Sequence, residues 1–192
     1  MSQSFRDELE SRLKDSLASI TSSNSDLIAP KLEALTMQIK SAFDSGNKVF
    51  IFGNGGSAAE ATHIAAEFTG HCVLDHKPWP VLSLNDSVSA LTAISNDYGL
   101  DQVFLRQIEA FGKKGDVAIG LSTSGTSPNV RSALDFAAEI GIYTSLWTCN
   151  RLKEDINYDI VLKAGTSSTP RAQEAHLFWG HVISEYLEIV QS

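Results

Sequence analysis

Over the first 46 residues, apolar side chains recur at every third or fourth position; beyond them the pattern changes to short unbroken apolar runs. Phe5, Leu9, Leu13 and Leu17, extended by Ile20, mark one helical stripe. After the polar break Thr21–Ser22–Ser23–Asn24–Ser25, a second apolar face follows at Leu32, Leu35, Ile39 and Phe43. Pro30 suits the first turn of that second helix, and Gly46 with Asn47 supplies its stop. Residues 1–46 are thus expected to be an N-terminal helical segment. Its first helix either packs on the core of its own chain or, set apart by the polar break, against another subunit.

From Lys48 onward five runs read as strands: Val49–Phe52, Val81–Leu84, Val117–Leu121, Tyr143–Trp147 and Ile160–Leu162. Helical patterns lie between them at 57–69, 87–95 with 101–111, and 128–140. Strands that alternate with helices predict βαβ units, hence an α/β fold with a doubly wound, mainly parallel five-stranded sheet flanked by helices. A last helix is expected from Ser168–Thr169–Pro170 to about Val190, with Thr169 as its cap and Pro170 in its first turn. Ala175, Phe178, Val182, Tyr186 and Ile189 predict its buried stripe. Residues 47–192 form the expected main domain, with no separate second domain. Such sheets take their ligands beyond the carboxyl ends of the strands.

The chain has 192 residues, enough for one domain with a substantial core, and 43% of them are hydrophobic. No apolar run approaches about 18 residues, and Met1–Glu8 lacks the basic start and apolar centre of a signal peptide. Cys72 and Cys149 are too far apart in sequence to suggest a metal knuckle or a disulfide framework, so a cytoplasmic setting is expected. The formal net charge of −8 argues against nucleic acid or an anionic membrane as a partner. An anionic ligand must therefore be held by local donors.

Two loops offer them. Lys48–Val49–Phe50–Ile51–Phe52 runs into Gly53–Asn54–Gly55–Gly56–Ser57 and then directly into a helix. Glycines let the backbone approach a ligand closely, and the helix start presents free N–H groups. The second loop, Ser122–Thr123–Ser124–Gly125–Thr126–Ser127, crowds hydroxyls just before Pro128. An N-cap needs only Ser127, and the surplus of hydroxyls favours a phosphate. Neither loop fits the dinucleotide fingerprint or the P-loop, so the phosphate is expected on a small metabolite, with the glycine loop holding its sugar end. His63 and Glu67 share one helix face, a spacing equally at home in a metal pair, a proton-transfer pair or a solvated contact. Gln173, Glu174, His176 and His181 lie on the last helix, where His181, between Phe178 and Val182, also reads as a structural histidine. Asn96–Asp97, ahead of Tyr98–Gly99, reads on its own as a turn.

Taken together, Gly53–Asn54–Gly55–Gly56–Ser57, His63-x-x-x-Glu67, Asn96–Asp97, Ser122–Thr123–Ser124–Gly125-x-Ser127 and Arg171-x-Gln173–Glu174-x-His176 with His181 resemble the sedoheptulose 7-phosphate isomerases of the sugar isomerase (SIS) fold. The resemblance keeps the order and spacing of the blocks along the whole chain. It implies substrate contacts from Asn54, Gly55, Gly56, Asn96 and Asp97, with Glu67 and Gln173 also on the substrate. It implies phosphate binding by Ser122, Thr123, Ser124 and Ser127, and one zinc per subunit among His63, Glu67, Gln173 and His181. It further implies a homotetramer with sites at subunit contacts, and a role in heptose supply for bacterial surface polysaccharide. Three features depart from the family pattern. Ala66 replaces a second acidic residue, Pro170 replaces an Asp, and Cys149–Asp155 lacks a Gly-rich turn.

Aldose–ketose isomerisation through an enediol needs a base over the carbons and a proton carrier at the oxygens. The resemblance assigns Glu67 as that base and His181 as its acid–base partner. Gln173 and His181, eight apart, stand about 12 Å apart along a helix and about 80° around it, so both reach one metal only just, or one comes from a neighbouring subunit. A non-catalytic SIS protein that binds a replication-initiator partner, and an isomerase of another phosphosugar, are the competing expectations. Retention of Glu67 argues against the first.

Overall fold

The computed structural model describes residues 4–191, so Met1–Gln3 and Ser192 of the expected segments fall outside it. Five parallel strands form one sheet in the order β2-β1-β3-β4-β5: β1 Val49–Gly53, β2 Val81–Ser83, β3 Val117–Leu121, β4 Tyr143–Cys149 and β5 Ile160–Ala164. Val49 stands opposite both Val81 and Val117, Val117 opposite Tyr143, and Ser145 opposite Ile160. β1 and β3 are buried at every position, which is why each reads as an unbroken apolar run.

Helices cover both faces. On one, α2 (Ala29–Asp44), α3 (Gly56–Thr69) and α7 (Thr169–Gln191) share a core built on Leu35, Ile39, Ile64, Trp147, Trp179 and Leu187. On the other, α4 (Val88–Tyr98), α5 (Leu105–Phe111) and α6 (Pro128–Glu139) close over Phe50, Phe52, Phe104, Ile108, Leu134 and Leu146. The doubly wound α/β architecture expected from the sequence is the one observed. No helix among the described residues is long and apolar enough to cross a membrane.

Three local readings need correction. The α7 stripe expected at Phe178, Val182, Tyr186 and Ile189 is 39–63% exposed; Ala175 alone of that set is buried. The buried face is Ala172, Ala175, His176, Trp179, Ile183 and Leu187. The helix carries apolar residues on two adjacent faces, and spacing alone does not say which one meets the sheet. Asn96 and Asp97, read as a turn, lie inside α4, whose Ser87 cap and Gly99 stop bracket both. Thr169 opens α7 but its hydroxyl accepts from Arg151 rather than capping the helix.

α1 (Phe5–Thr21) is anchored at its C-terminal half, where the Ser19 hydroxyl and the carbonyl of Arg12 bond to Arg171 of α7. Its stripe stays in solvent, with Phe5, Leu9, Leu13 and Leu17 exposed by 83, 57, 56 and 56%. An apolar groove of about 580 Å³ runs beside its end, between Leu32 and Met37 of α2 and Phe178 and Val182 of α7.

The end of α7 holds a second anchor. The buried Glu188 carboxylate accepts the backbone N–H groups of Cys72, Val73 and Leu74 at 2.6, 3.0 and 2.9 Å. His76 lies 3.5 Å away and stacks on Trp79, whose indole donates to Gln191. Burial pushes the Glu188 carboxyl up, but the N–H groups and His76 outweigh it and hold it below its usual 4.5. A depressed carboxyl stabilises the fold above that value, and the stabilisation is lost as pH falls through the lower folded value. Glu188→Ala is expected to cost about 2–4 kcal/mol near neutral pH and to flatten the acid limb of stability against pH, followed by urea unfolding.

Candidate active site

The strand order reverses at β1, so a ligand crevice opens between the loops after β1 and β3. These are the glycine loop and the hydroxyl loop. At Gly53 an added Cβ would lie 2.9 Å from the Leu121 carbonyl and 2.8 Å from Ser57 Cβ, so only glycine lets the strand turn here so tightly. Gly55 takes a φ of +57° ahead of α3, a conformation that favours glycine. A Cβ on Gly56 would land on the side-chain amide of Gln173.

Two asparagines fix the crevice. Asn85, after β2, prolongs the sheet with its side chain: its Oδ1 accepts the Gly53 N–H at 3.1 Å and its Nδ2 donates to the Gly53 carbonyl at 3.0 Å. Asn54 and Asn129 exchange amide hydrogen bonds of 2.8 and 2.9 Å, joining the glycine loop to the first turn of α6. The sequence reading missed both partners. Asn129 sat beside Pro128 at the hydroxyl loop, and Asn85 directly followed a strand; position after a strand was the available signal.

In the hydroxyl loop Ser122 is buried and touches Ser127 at 2.9 Å and Ser124 at 3.3 Å, while its Oγ accepts the Gly125 N–H at 3.1 Å. Ser127 occupies the N-cap position of α6, yet its hydroxyl makes no capping bond. It turns into the loop instead, leaving the first-turn N–H groups free for an anion. Thr123 is held from behind by the buried Cys149, whose thiol donates to its carbonyl.

His63 and Glu67 on α3 meet His181 on α7. His63 Nε2 lies 3.0 Å from Glu67 Oε1 and 3.0 Å from His181 Nε2, and one ligand atom from each residue falls within 4.8 Å of the others. The convergence depends on Gly180. A Cβ there would fall 2.6–3.0 Å from Ile64, so glycine lets α7 press onto α3 beside the two histidines. Two imidazoles and a carboxylate at this spacing suit a zinc with positions left open for substrate. Gln173 sits two turns earlier, against Gly56 and Ser57, its amide 3.5 Å from the Ser57 hydroxyl. Burial pushes Glu60, one turn before His63, up to about 7, with neighbouring Ser57 pulling the other way.

Two adjoining cavities lead to these groups. One of about 560 Å³ is lined by Asn54, Gly55, Asn85 and Asn96; the other, about 530 Å³, by Thr62, His63 and Ala66. They share Ala58, Asn85 and Leu91 as walls. Asp97 accepts the Asn96 amide at 2.8 Å beside the first cavity. The hydroxyl loop follows β3, whereas His63, Glu67 and His181 lie on α3 and α7, so the two groups stand on different elements.

A parallel sheet with a hydroxyl-rich anion loop at its switch point defines a sugar-phosphate-binding α/β protein of SIS type, and the SIS-domain family model matches residues 12–145. The chain belongs to that family, and within it to the phosphoheptose isomerases. It is 44% identical over 159 residues to the phosphoheptose isomerase of Clostridium acetobutylicum, covering 82% of this chain and 81% of that one. It is 39% identical over 186 residues to the same enzyme of Geotalea uraniireducens, covering 95 and 96%. The solved phosphoheptose isomerase of Neisseria gonorrhoeae superposes with a TM-score of 0.87 at 32% identity, over 97% of this chain and 100% of that one.

Removing the Asn129 amide leaves the Asn54 side chain unpaired at the crevice. Asn129→Ala is expected to cost about 1–2 kcal/mol in thermal unfolding, and Asn54→Ala on top of it markedly less than the sum, because the two act as one contact. A strictly additive double mutant would show that the pair does not clamp the loop.

Proposed function

We propose that this protein interconverts D-sedoheptulose 7-phosphate and D-glycero-D-manno-heptose 7-phosphate, an intramolecular aldose–ketose isomerisation that supplies heptose for bacterial surface polysaccharide. The observation that carries this reading is the convergence of His181 with His63 and Glu67 on the helix that leaves the glycine loop, with the hydroxyl loop following the neighbouring strand. The kinship with phosphoheptose isomerases supports it. A non-catalytic role leaves the Glu67–His63–His181 cluster without a purpose.

In this reading the C7 phosphate rests among Ser122, Thr123, Ser124 and Ser127 and the free N–H groups that open α6. Asn54, Gly55, Gly56, Asn96 and Asp97 hold the sugar, and Gln173, lying on Gly56, fixes the end that reacts. Glu67 takes a proton from C1, the enediol forms, and the same carboxyl returns the proton to C2. His181 carries the matching proton from O1 to O2, so the reaction needs no external oxidant or reductant. His63, bonded to Glu67 at 3.0 Å, keeps the carboxylate aimed. His63, Glu67 and His181 would hold zinc. Bound there, zinc supplies Lewis-acid polarisation of the carbonyl and hydroxyl oxygens.

The exposed stripe of α1 and the groove beside it suit burial in a homotetramer whose sites lie at subunit contacts. The free thiols Cys72 and Cys149 suit a reducing cytoplasm.

Incubation of the protein with sedoheptulose 7-phosphate is expected to yield the heptose aldose, and Glu67→Gln to lower kcat by roughly a hundredfold or more with the fold intact. Absence of turnover with and without added zinc would sink the reading; an active Glu67→Gln enzyme would sink the base assignment. Leu13→Glu is expected to dissociate the assembly, read by light scattering. An unchanged mass would remove α1 from the contact.

A further inference from the structure

The hydroxyl loop is neutral, the chain carries a net charge of −8, and the proposed guest is a phosphate dianion. A cation does reach the loop, from the turn after β4. Arg151 Nη2 donates to Thr123 Oγ1 at 2.9 Å and to Thr169 Oγ1 at 2.8 Å, bridging the hydroxyl loop and the start of α7. Its neighbours fix it there. Cys149, fully buried, holds the Thr123 carbonyl, and the buried Leu152 fills the space over Gly125, where a Cβ would approach it within 2.9 Å. Asn150 N–H donates to the Thr166 carbonyl at 2.9 Å and closes the turn against the strand end. Within this packed turn Arg151 stays exposed, and its Nε and Nη1 make no hydrogen bond with the described residues. The nearby cations are engaged elsewhere: Arg131 pairs with Glu154 at 2.6 Å, and Lys163 Nζ lies 3.4 Å from the Leu152 carbonyl.

The geometry points to Arg151 as the residue that selects the dianionic phosphate: parked on Thr123 in the free protein, it turns its unused donors onto the phosphate oxygens when the loop fills. The inference rests on the assignment of the hydroxyl loop to phosphate. A guanidinium suits the role because its fork of donors serves two oxygens at once while one nitrogen remains on the threonines. A tie between two threonine hydroxyls alone needs no positive charge, and a neutral amide would serve it.

The test uses the full chain and inorganic phosphate, which requires no turnover, beside the sugar phosphate. For Arg151→Gln, the dissociation constant for phosphate by calorimetry and the KM for sedoheptulose 7-phosphate are both expected to rise roughly tenfold to a hundredfold, with kcat nearly unchanged. Arg151→Lys is expected to recover part of the loss. The defect in KM should shrink below about pH 6, where the sugar phosphate becomes the monoanion. Thr169→Val, which cuts the tie to α7 but keeps the charge, is expected to leave both constants unchanged. Wild-type affinity for phosphate in Arg151→Gln, or an equal loss in Thr169→Val, would reduce Arg151 to a structural tie and overturn the inference. If the wild type binds phosphate through Arg151 but leaves sedoheptulose 7-phosphate unconverted, the isomerase reading fails and this one stands.

Discussion

The contact on which the site depends is the packing of α7 against α3 and the segment that follows it, met at three successive levels. At the first, Gln173 covers Gly56 and Ser57; at the second, Gly180 admits Ile64 and brings His63 and His181 to 3.0 Å; at the third, Glu188 gathers the backbone N–H groups of residues 72–74. Each level fixes the others, because a helix shifted by one residue turns about 100° and would carry all three contacts away together. Small side chains at Gly56 and Gly180 permit the approach, and the buried carboxylate at 188 sets the register. The chemistry at the middle level is therefore held from both ends by contacts that do no chemistry.

The complementary constraint lies across the sheet. The glycine loop is tied down by Asn85 on one flank and Asn129 on the other, using side-chain amides that continue the hydrogen bonding of the sheet beyond its last residue. The hydroxyl loop is organised differently. Ser122, Ser124 and Ser127 bond to one another and to Gly125 and Thr126 of the same loop, an arrangement cheap to reopen when a better acceptor arrives. In the proposed reading, rigid amides surround the sugar end and exchangeable hydroxyls receive the phosphate.

Much of this was legible in the sequence, and the reasons are particular. β1 and β3 are buried on both sides, so their apolar runs were unmistakable, and the glycine and hydroxyl loops announced themselves by following them. His63 and Glu67 were visible as one helix face. The face of α7 was not, because Phe178, Val182 and Tyr186 lie beside the buried set and satisfy the same spacing. Asn96–Asp97 looked like a turn because its residue types favour one, but the Ser87 cap and Gly99 stop place both inside α4. Gln173 and His181, which a helix separates by two turns, meet α3 at separate levels, a point their spacing alone left open. Gly180 carried no signal at all, since its importance lies in what a Cβ would strike on another helix.

Charge explains why the two ends of the crevice are built from different materials. An acidic protein gains nothing from a broad positive surface that its own carboxylates would neutralise, so the attraction for an anion must act over a few ångströms. Helix-end N–H groups and hydroxyls supply donors without net charge, and in the inference drawn above the guanidinium of Arg151 adds the counter-charge. In the proposed reading the charge that binds the phosphate, on the turn after β4, belongs to a different element from the group on α3 and α7 that moves the proton. On that reading a substrate that reaches both groups is recognised by its length as well as by its charge.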